Sequence, residues 1–172
     1  MKWKEWLEKW SMTSLKFKAP FLEMNWAPKD ADKDAAWELY IELLTRITTQ
    51  PLPSQQGDEA VALGSVYALF DLTREVIKRR GRSCIEFSKI AIVIVNQKIR
   101  PFSAKWHREM TAGAFDDPGK CKQFRTELAE LQSVLRVYTK MLADMAGIED
   151  ISELERIEGT TSLGGTGSAP AG

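Results

Sequence analysis

The side chains of this 172-residue chain best suited to nucleophilic or metal chemistry are its one histidine, His107, and its two cysteines, Cys84 and Cys121. Nucleophilic catalysis needs a hydroxyl or thiol held beside a base, and a metal site needs several converging ligands. Neither follows from the spacing here. Cys84 lies 23 residues before His107 on one expected helix, which separates them by more than about 30 Å at ~1.5 Å rise per residue. His107 follows Trp106 beside an expected kink and reads as a capping or interface residue. The cysteines lie outside any C-x-x-C spacing. Two buried free thiols in a reducing compartment are the favoured reading, with a lone disulfide the alternative.

Carboxylates cluster as Asp30, Asp32 and Asp34 and as Asp116-Asp117. Di-metal bundles use Glu together with E-x-x-H on facing helices, and no E-x-x-H is present. The D-A-D-K-D spacing opens like a calcium loop, but the central glycine and distal glutamate of an EF-hand are missing where Trp37 and Tyr40 stand. Helix capping accounts for these aspartates. The glycines form neither G-x-G-x-x-G nor a P-loop, and Gly164-Gly165 has no following helix to help cradle a phosphate. No catalytic residue, metal ligand or cofactor is assigned on these grounds, and the chain is expected not to be an enzyme.

Charge is the next source of chemistry. Lys and Arg number 24, as do Asp and Glu, so the net charge is +0 and a generally basic nucleic-acid binder is disfavoured. The balance is uneven along the chain, at +3 over 1–29, −6 over 30–73, +8 over 74–108 and −5 over 109–172. The basic block contains Arg74, Lys78, Arg79, Arg80, Arg82, Lys89, Lys98, Arg100, Lys105 and Arg108. It reads either as an anion- or nucleic-acid-binding surface, with Arg74, Lys78, Arg79, Arg80, Arg82, Lys89 and Arg100 as its contacts, or as the internal complement of acidic neighbouring helices. The second reading is favoured, because cationic last turns suit a helix C-terminus and no aromatics interleave with the cations. Lys89, Asn96, Arg100, Ser103 and His107 also fall on one helical line, which is either a ligand groove or a solvated side. A buried Asn96 would fix register or oligomeric state.

Trp3, Trp6 and Trp10 share one face of an N-terminal helix rich in lysine. Such a face would dock on a protein partner, lie in a membrane interface or close the chain's own core.

These residues need elements to position them. Hydrophobic residues at 44% and charged residues at 28% give a globular balance, and the length favours one domain. The pattern predicts an all-α, antiparallel four- to five-helix bundle over 1–158 with a low-complexity, disordered tail over 159–172. The first helix is expected over Lys2–Lys16, followed by an aromatic loop that packs on the bundle through residue 29. The second starts near Asp30 or Asp32 and runs to about Gln50, with Trp37, Tyr40, Ile41, Leu44 and Ile47 as its stripe, and stops before Pro51 and Pro53. The third runs from Asp58 to Arg80 with Gly81 as its cap, using Val61, Val66, Tyr67, Leu69, Phe70 and Ile77. The fourth opens on a Ser83–Glu86 capping box with the stripe Ile85, Ser88, Ile92, Val95, Ile99, Phe102 and Trp106, and Pro101 should kink or break it. The fifth follows Asp117-Pro118 with Phe124, Leu128, Leu131, Leu135, Tyr138, Leu142 and Met145 in register and ends at Gly147. A short sixth is expected over Ile151–Ile157.

No stretch has the roughly 20 apolar residues that a spanning helix needs, and the N-terminus lacks the apolar core of a secretory signal, so a cytoplasmic location without a transmembrane span is expected. Two segments, AAWELYIELLTRITTQPL (Ala35–Leu52) and IRPFSAKWH (Ile99–His107), resemble small uncharacterised all-helical bacterial proteins from phage-defence or mobile-element loci. The resemblance covers about a sixth of the chain, implies a bacterial protein with a role in antiviral defence, and carries no site residues. The leading expectation is a non-enzymatic helical adaptor or regulatory module that binds a protein or itself through its first, fourth and fifth helices. The alternatives are a nucleic-acid-binding regulator using residues 74–108 and an effector in peripheral membrane contact through the Trp helix.

Overall fold

Apolar residues alternating at spacings of four and three from Phe124 to Met145 can face one side only of a helix. The structure, a computed structural model describing residues 1–55, 57–152 and 154, builds that side into the centre of an all-α fold. Its elements are α1 (Trp3–Lys9), α2 (Ala19–Leu22), α3 (Asp30–Leu44), α4 (Glu59–Arg80), α5 (Ile85–Ile94), α6 (Arg100–Thr111) and α7 (Pro118–Ala146). All seven residues of the α7 stripe are buried. Large apolar side chains of this kind stabilise the fold by about 1.5–3 kcal/mol each when fully removed from water. The Asp117 carboxylate accepts the Gly119 N–H at 2.9 Å, Pro118 occupies the first turn, and Gly147 ends the helix at φ 70°. That positive φ lets the Ile148 N–H turn back to the Ala143 carbonyl at 3.1 Å.

Helix α3 lies along α7, α4 packs on α3 and on α6, and α5 packs on α3, forming an antiparallel bundle. The Trp-rich α1 and the segment after it pack on α5 and α7, with Phe17, Phe21, Leu22 and Trp26 half-buried against the core. The aromatic loop is therefore packed. Among the described residues the sole β feature is an isolated bridge between Lys2 and Asn25.

Several elements differ from expectation for local reasons. Helix α1 ends at Lys9 rather than Lys16, because Ser11 adopts a left-handed φ of 54° and directs Met12 and Leu15 into the core. Helix α3 ends at Leu44 rather than near Gln50. Hydroxyls compete with its main chain there: Thr45 Oγ1 donates to the Ile41 carbonyl at 3.0 Å and Thr49 Oγ1 to the Leu43 carbonyl at 2.7 Å. The freed Ile47 and Gln50 carbonyls accept from Nε2 of the buried Gln132 at 2.7 and 2.6 Å. The buried face of α3 is also rotated. Ala35, Ala36, Leu39 and Leu43 join Tyr40 and Leu44 inside, leaving Trp37 and Ile41 exposed.

On α4 the inward residues are Ala62, Leu63, Val66, Leu69, Thr73 and Val76, while Val61 and Tyr67 face water. The Ser83–Glu86 box does not form. Ser83 sits in a 3-10 turn over Gly81–Ser83, and Cys84 precedes α5 without a side-chain cap. The cap comes from another helix: buried Asp32 accepts the Phe87 N–H at 3.0 Å and the Lys29 N–H at 2.8 Å. One carboxylate thus closes the first turns of both α3 and α5. Ile85 and Ile92 of the expected stripe are exposed, and Phe87, Ile90, Ala91 and Ile94 replace them inside. The helix is interrupted just ahead of Pro101, as the proline led one to expect. A π-helical turn over Val95–Ile99, with the Arg100 N–H donating to the Val95 carbonyl, lets the proline enter the first turn of α6. Of the helix expected over Ile151–Ile157, residues 151, 152 and 154 are described and none is helical; the rest, with the tail over 159–172, lies outside the described residues.

Candidate functional site

The tryptophans of α1 face inward. Trp3 and Trp6 are fully buried, and Trp6 stacks on Trp26 with ring centroids 4.8 Å apart. Each indole N–H finds a carboxylate: Trp3 Nε1 donates to Glu86 at 2.9 Å, while Trp6 Nε1 and Trp10 Nε1 donate to one Asp144 oxygen at 2.7 and 3.2 Å. Lys9 Nζ holds the other Asp144 oxygen at 2.9 Å. Burial pushes the Asp144 carboxyl up, but hydrogen bonds from Lys9, Trp6 and Trp10 outweigh it and hold the group below the usual carboxylate range. Of the three readings of Trp3, Trp6 and Trp10, this arrangement is closure of the chain's own core, and Trp3 and Trp6 are not exposed as a partner-binding or lipid-facing stripe. Docked in this way, α1 turns its two fully buried indoles towards the bundle, and Trp10 is half-buried.

The basic block divides. Arg79 and Arg80 reach across to Glu38, Arg80 also to Asp34 at 3.0 Å, and Lys89 pairs with Glu86 at 2.7 Å. Arg74 pairs with Asp71 at 2.7 Å and Lys105 with Glu127 at 2.5 Å. All five have a carboxylate partner, but only Arg79, Arg80 and Lys105 find it on another helix, as the internal-complement reading requires; Arg74 and Lys89 pair within their own helices. Arg79 and Arg80 are therefore corrected from free anion contacts to clamps between α4 and α3, and Arg74 and Lys89 to partners of a carboxylate one turn away. Lys78, Arg82, Lys98, Arg100 and Arg108 have no carboxylate within 4.0 Å among the described residues.

The polar line through α5 and α6 divides as well. Lys89 is half-buried, while Ser103 is buried with its hydroxyl unpartnered. Asn96, Arg100 and His107 are exposed, so Asn96 is not a buried register-fixing residue. Folding sets Arg100 and His107 beside Phe70 and Tyr67 of α4. Arg100 Nε donates to Asn96 Oδ1 at 3.0 Å, and the guanidinium lies over the Phe70 ring 5.0 Å from its centroid. Tyr67, 54% exposed, has its ring 5.4 Å from Phe70 and 6.4 Å from His107. Aromatics do flank a free cation after all, contributed by a different helix.

A second outward feature lies between α3 and α4. Trp37, Ile41 and Leu72 line a groove of about 500 Å³ whose edges carry Glu38, Glu42, Glu75 and Arg79. Trp37 is 46% exposed, whereas the other five tryptophans are buried or half-buried. Glu38 is held by Arg79 and Arg80 and Glu42 by Arg46, but Glu75 has no cation partner among the described residues. Sequence reasoning placed Trp37 and Ile41 inside. The competing stripe of Ala35, Ala36, Leu39 and Leu43 has an equally helical spacing and was the available signal.

Both cysteines are free. Cys84 is buried and Cys121 half-buried, so only one of the two thiols is fully enclosed. Burial pushes the Cys121 thiol up, away from thiolate reactivity. Among the described residues no group of three or more His, Cys, Asp or Glu side chains is placed to hold a metal ion, and no helix is long and apolar enough to cross a membrane. No protein-family model, curated protein or solved structure matches the chain.

Proposed function

We propose that this protein is a non-enzymatic helical interaction module that binds a protein partner, or a second copy of itself, through the α3/α4 groove. The exposure of Trp37 carries the reading. A tryptophan left 46% open beside the exposed Ile41 leaves costly apolar surface in water, on a helix with enough other apolar residues to fill its core face. Tryptophan is also the residue type most enriched among interface anchors. The rim supplies orientation: Glu75 adds an uncompensated negative charge, which favours an apolar helix edge carrying a lysine or arginine. The surface differs from the one expected from sequence, since α1 and α7 commit their apolar stripes to the core.

Light scattering after size exclusion, paired with quantitative pull-down from cells expressing the tagged protein, tests the proposal. Wild type is compared with Trp37→Ala and Ile41→Glu. Both side chains are exposed, so far-UV circular dichroism should be unchanged. A dimer, or a stoichiometric partner, that is lost in both variants supports the proposal. A monodisperse monomer whose captured proteins are the same in all three forms would overturn it.

A further inference from the structure

The α4/α6 face has a composition different from the Trp37 groove. Arg100 is held there by two contacts that leave its working end free. Its Nε is committed to Asn96 Oδ1 at 3.0 Å, and its central carbon lies over the Phe70 ring, 5.0 Å from the centroid. Its two terminal nitrogens have no protein partner among the described residues. A guanidinium held by its Nε and seated over a ring, with both terminal N–H₂ groups unpartnered among the described residues, is pre-organised to grip phosphate oxygens bidentately. Tyr67, whose ring centroid lies 5.4 Å from that of the same Phe70, is 54% exposed, and the His107 ring is 6.4 Å from it. Farther along α4, exposed Lys78 lies eight residues beyond Phe70, about 12 Å along the axis, and has no carboxylate partner among the described residues. Arg74, between them, is neutralised by Asp71. Glu75 lies on the other flank of α4, in the Trp37 groove.

A phosphate-gripping fork beside an open aromatic ring, with a second free cation farther along the same helix, matches one ligand chemistry. We infer that Tyr67, Phe70 and Arg100 form a binding site for single-stranded nucleic acid, with a base stacked on Tyr67 and its phosphate on Arg100. Duplex DNA or RNA would use the cations but has no unstacked base to offer Tyr67. The near-neutral molecule limits the site to a short stretch of strand, with few phosphate contacts and a shallow salt dependence.

Fluorescence anisotropy tests this with the full chain and labelled oligothymidine or oligouridine of about 15 nucleotides. Binding is expected at low salt and should weaken on raising it. Tyr67→Phe should bind as wild type, whereas Tyr67→Ala should bind about ten-fold or more weakly, the loss typical of one stacked base. Arg100→Lys keeps the charge but loses the fork and its seat on Phe70, and should also weaken binding. Trp37→Ala should leave the oligonucleotide affinity unchanged, which separates this inference from the protein-docking groove. Absence of binding at low salt, equal affinity for a duplex of the same length, or an affinity indifferent to Tyr67→Ala would each overturn the inference. Tyr67 and Arg100 are exposed, and circular dichroism of each variant checks that the fold persists.

Discussion

Asp144 is expected to be the residue on which docking of the N-terminal helix most depends. Replacing it with alanine removes the acceptor of the Trp6 and Trp10 indoles and the partner of Lys9. Trp6 is fully buried, so its N–H would lose hydrogen bonding without gaining water, a cost of about 1–3 kcal/mol. The Trp10 and Lys9 contacts are more open and together contribute about 1 kcal/mol. Alanine returns roughly 0.5 kcal/mol through its better helix propensity. The expected destabilisation is therefore about 1.5–3.5 kcal/mol for Asp144→Ala, and about 1–2 kcal/mol for Asp144→Asn, which keeps one acceptor oxygen. Urea unfolding followed by tryptophan fluorescence and by far-UV circular dichroism measures both. The pH dependence has a fixed sign. A carboxyl whose folded-state pKa is depressed contributes stability that is complete above its unfolded value of about 3.9 and is lost as pH falls through the folded value. The gap between wild type and Asp144→Asn should hold at neutral pH and narrow below about pH 4. A change under about 0.5 kcal/mol for Asp144→Ala at neutral pH would refute the reasoning, since it would mean that water reaches the indoles of α1.

Two further tests follow from the same structure. Asp32→Ala strips the acceptor from the Lys29 and Phe87 amides at a fully buried position and should cost about 2–4 kcal/mol in urea unfolding; a loss below about 1 kcal/mol would show that α5 does not need this cap. With a disulfide-exchange reagent at neutral pH, Cys121 should label slowly and Cys84 only on unfolding, because burial encloses Cys84 and pushes the Cys121 thiol up. Rapid labelling of both thiols in the native protein would contradict that.

The sequence by itself determined the helical class, the register of α7 and four helix ends, among them the close of α4 at Gly81. Asp58, Asp117 and Gly147 act through hydrogen bonds and backbone angles within a few residues, so local chemistry suffices to place them. Tertiary structure decided which face of each ambiguous helix went inside. Between Ile85 and Ile94, α5 is apolar on nearly every side, so periodicity selects no face, and packing against α3 buried Phe87 and Ile90 and exposed Ile85 and Ile92. On α3 the small Ala35 and Ala36 are buried, and Trp37 was left outside. The charges were legible as blocks but not as pairs. Arg80 meets Asp34 across 46 residues, and Asp144 meets Trp6 across 138. Only the folded chain sets those distances, and with them which cations are neutralised and which, like Arg100, remain available to a ligand.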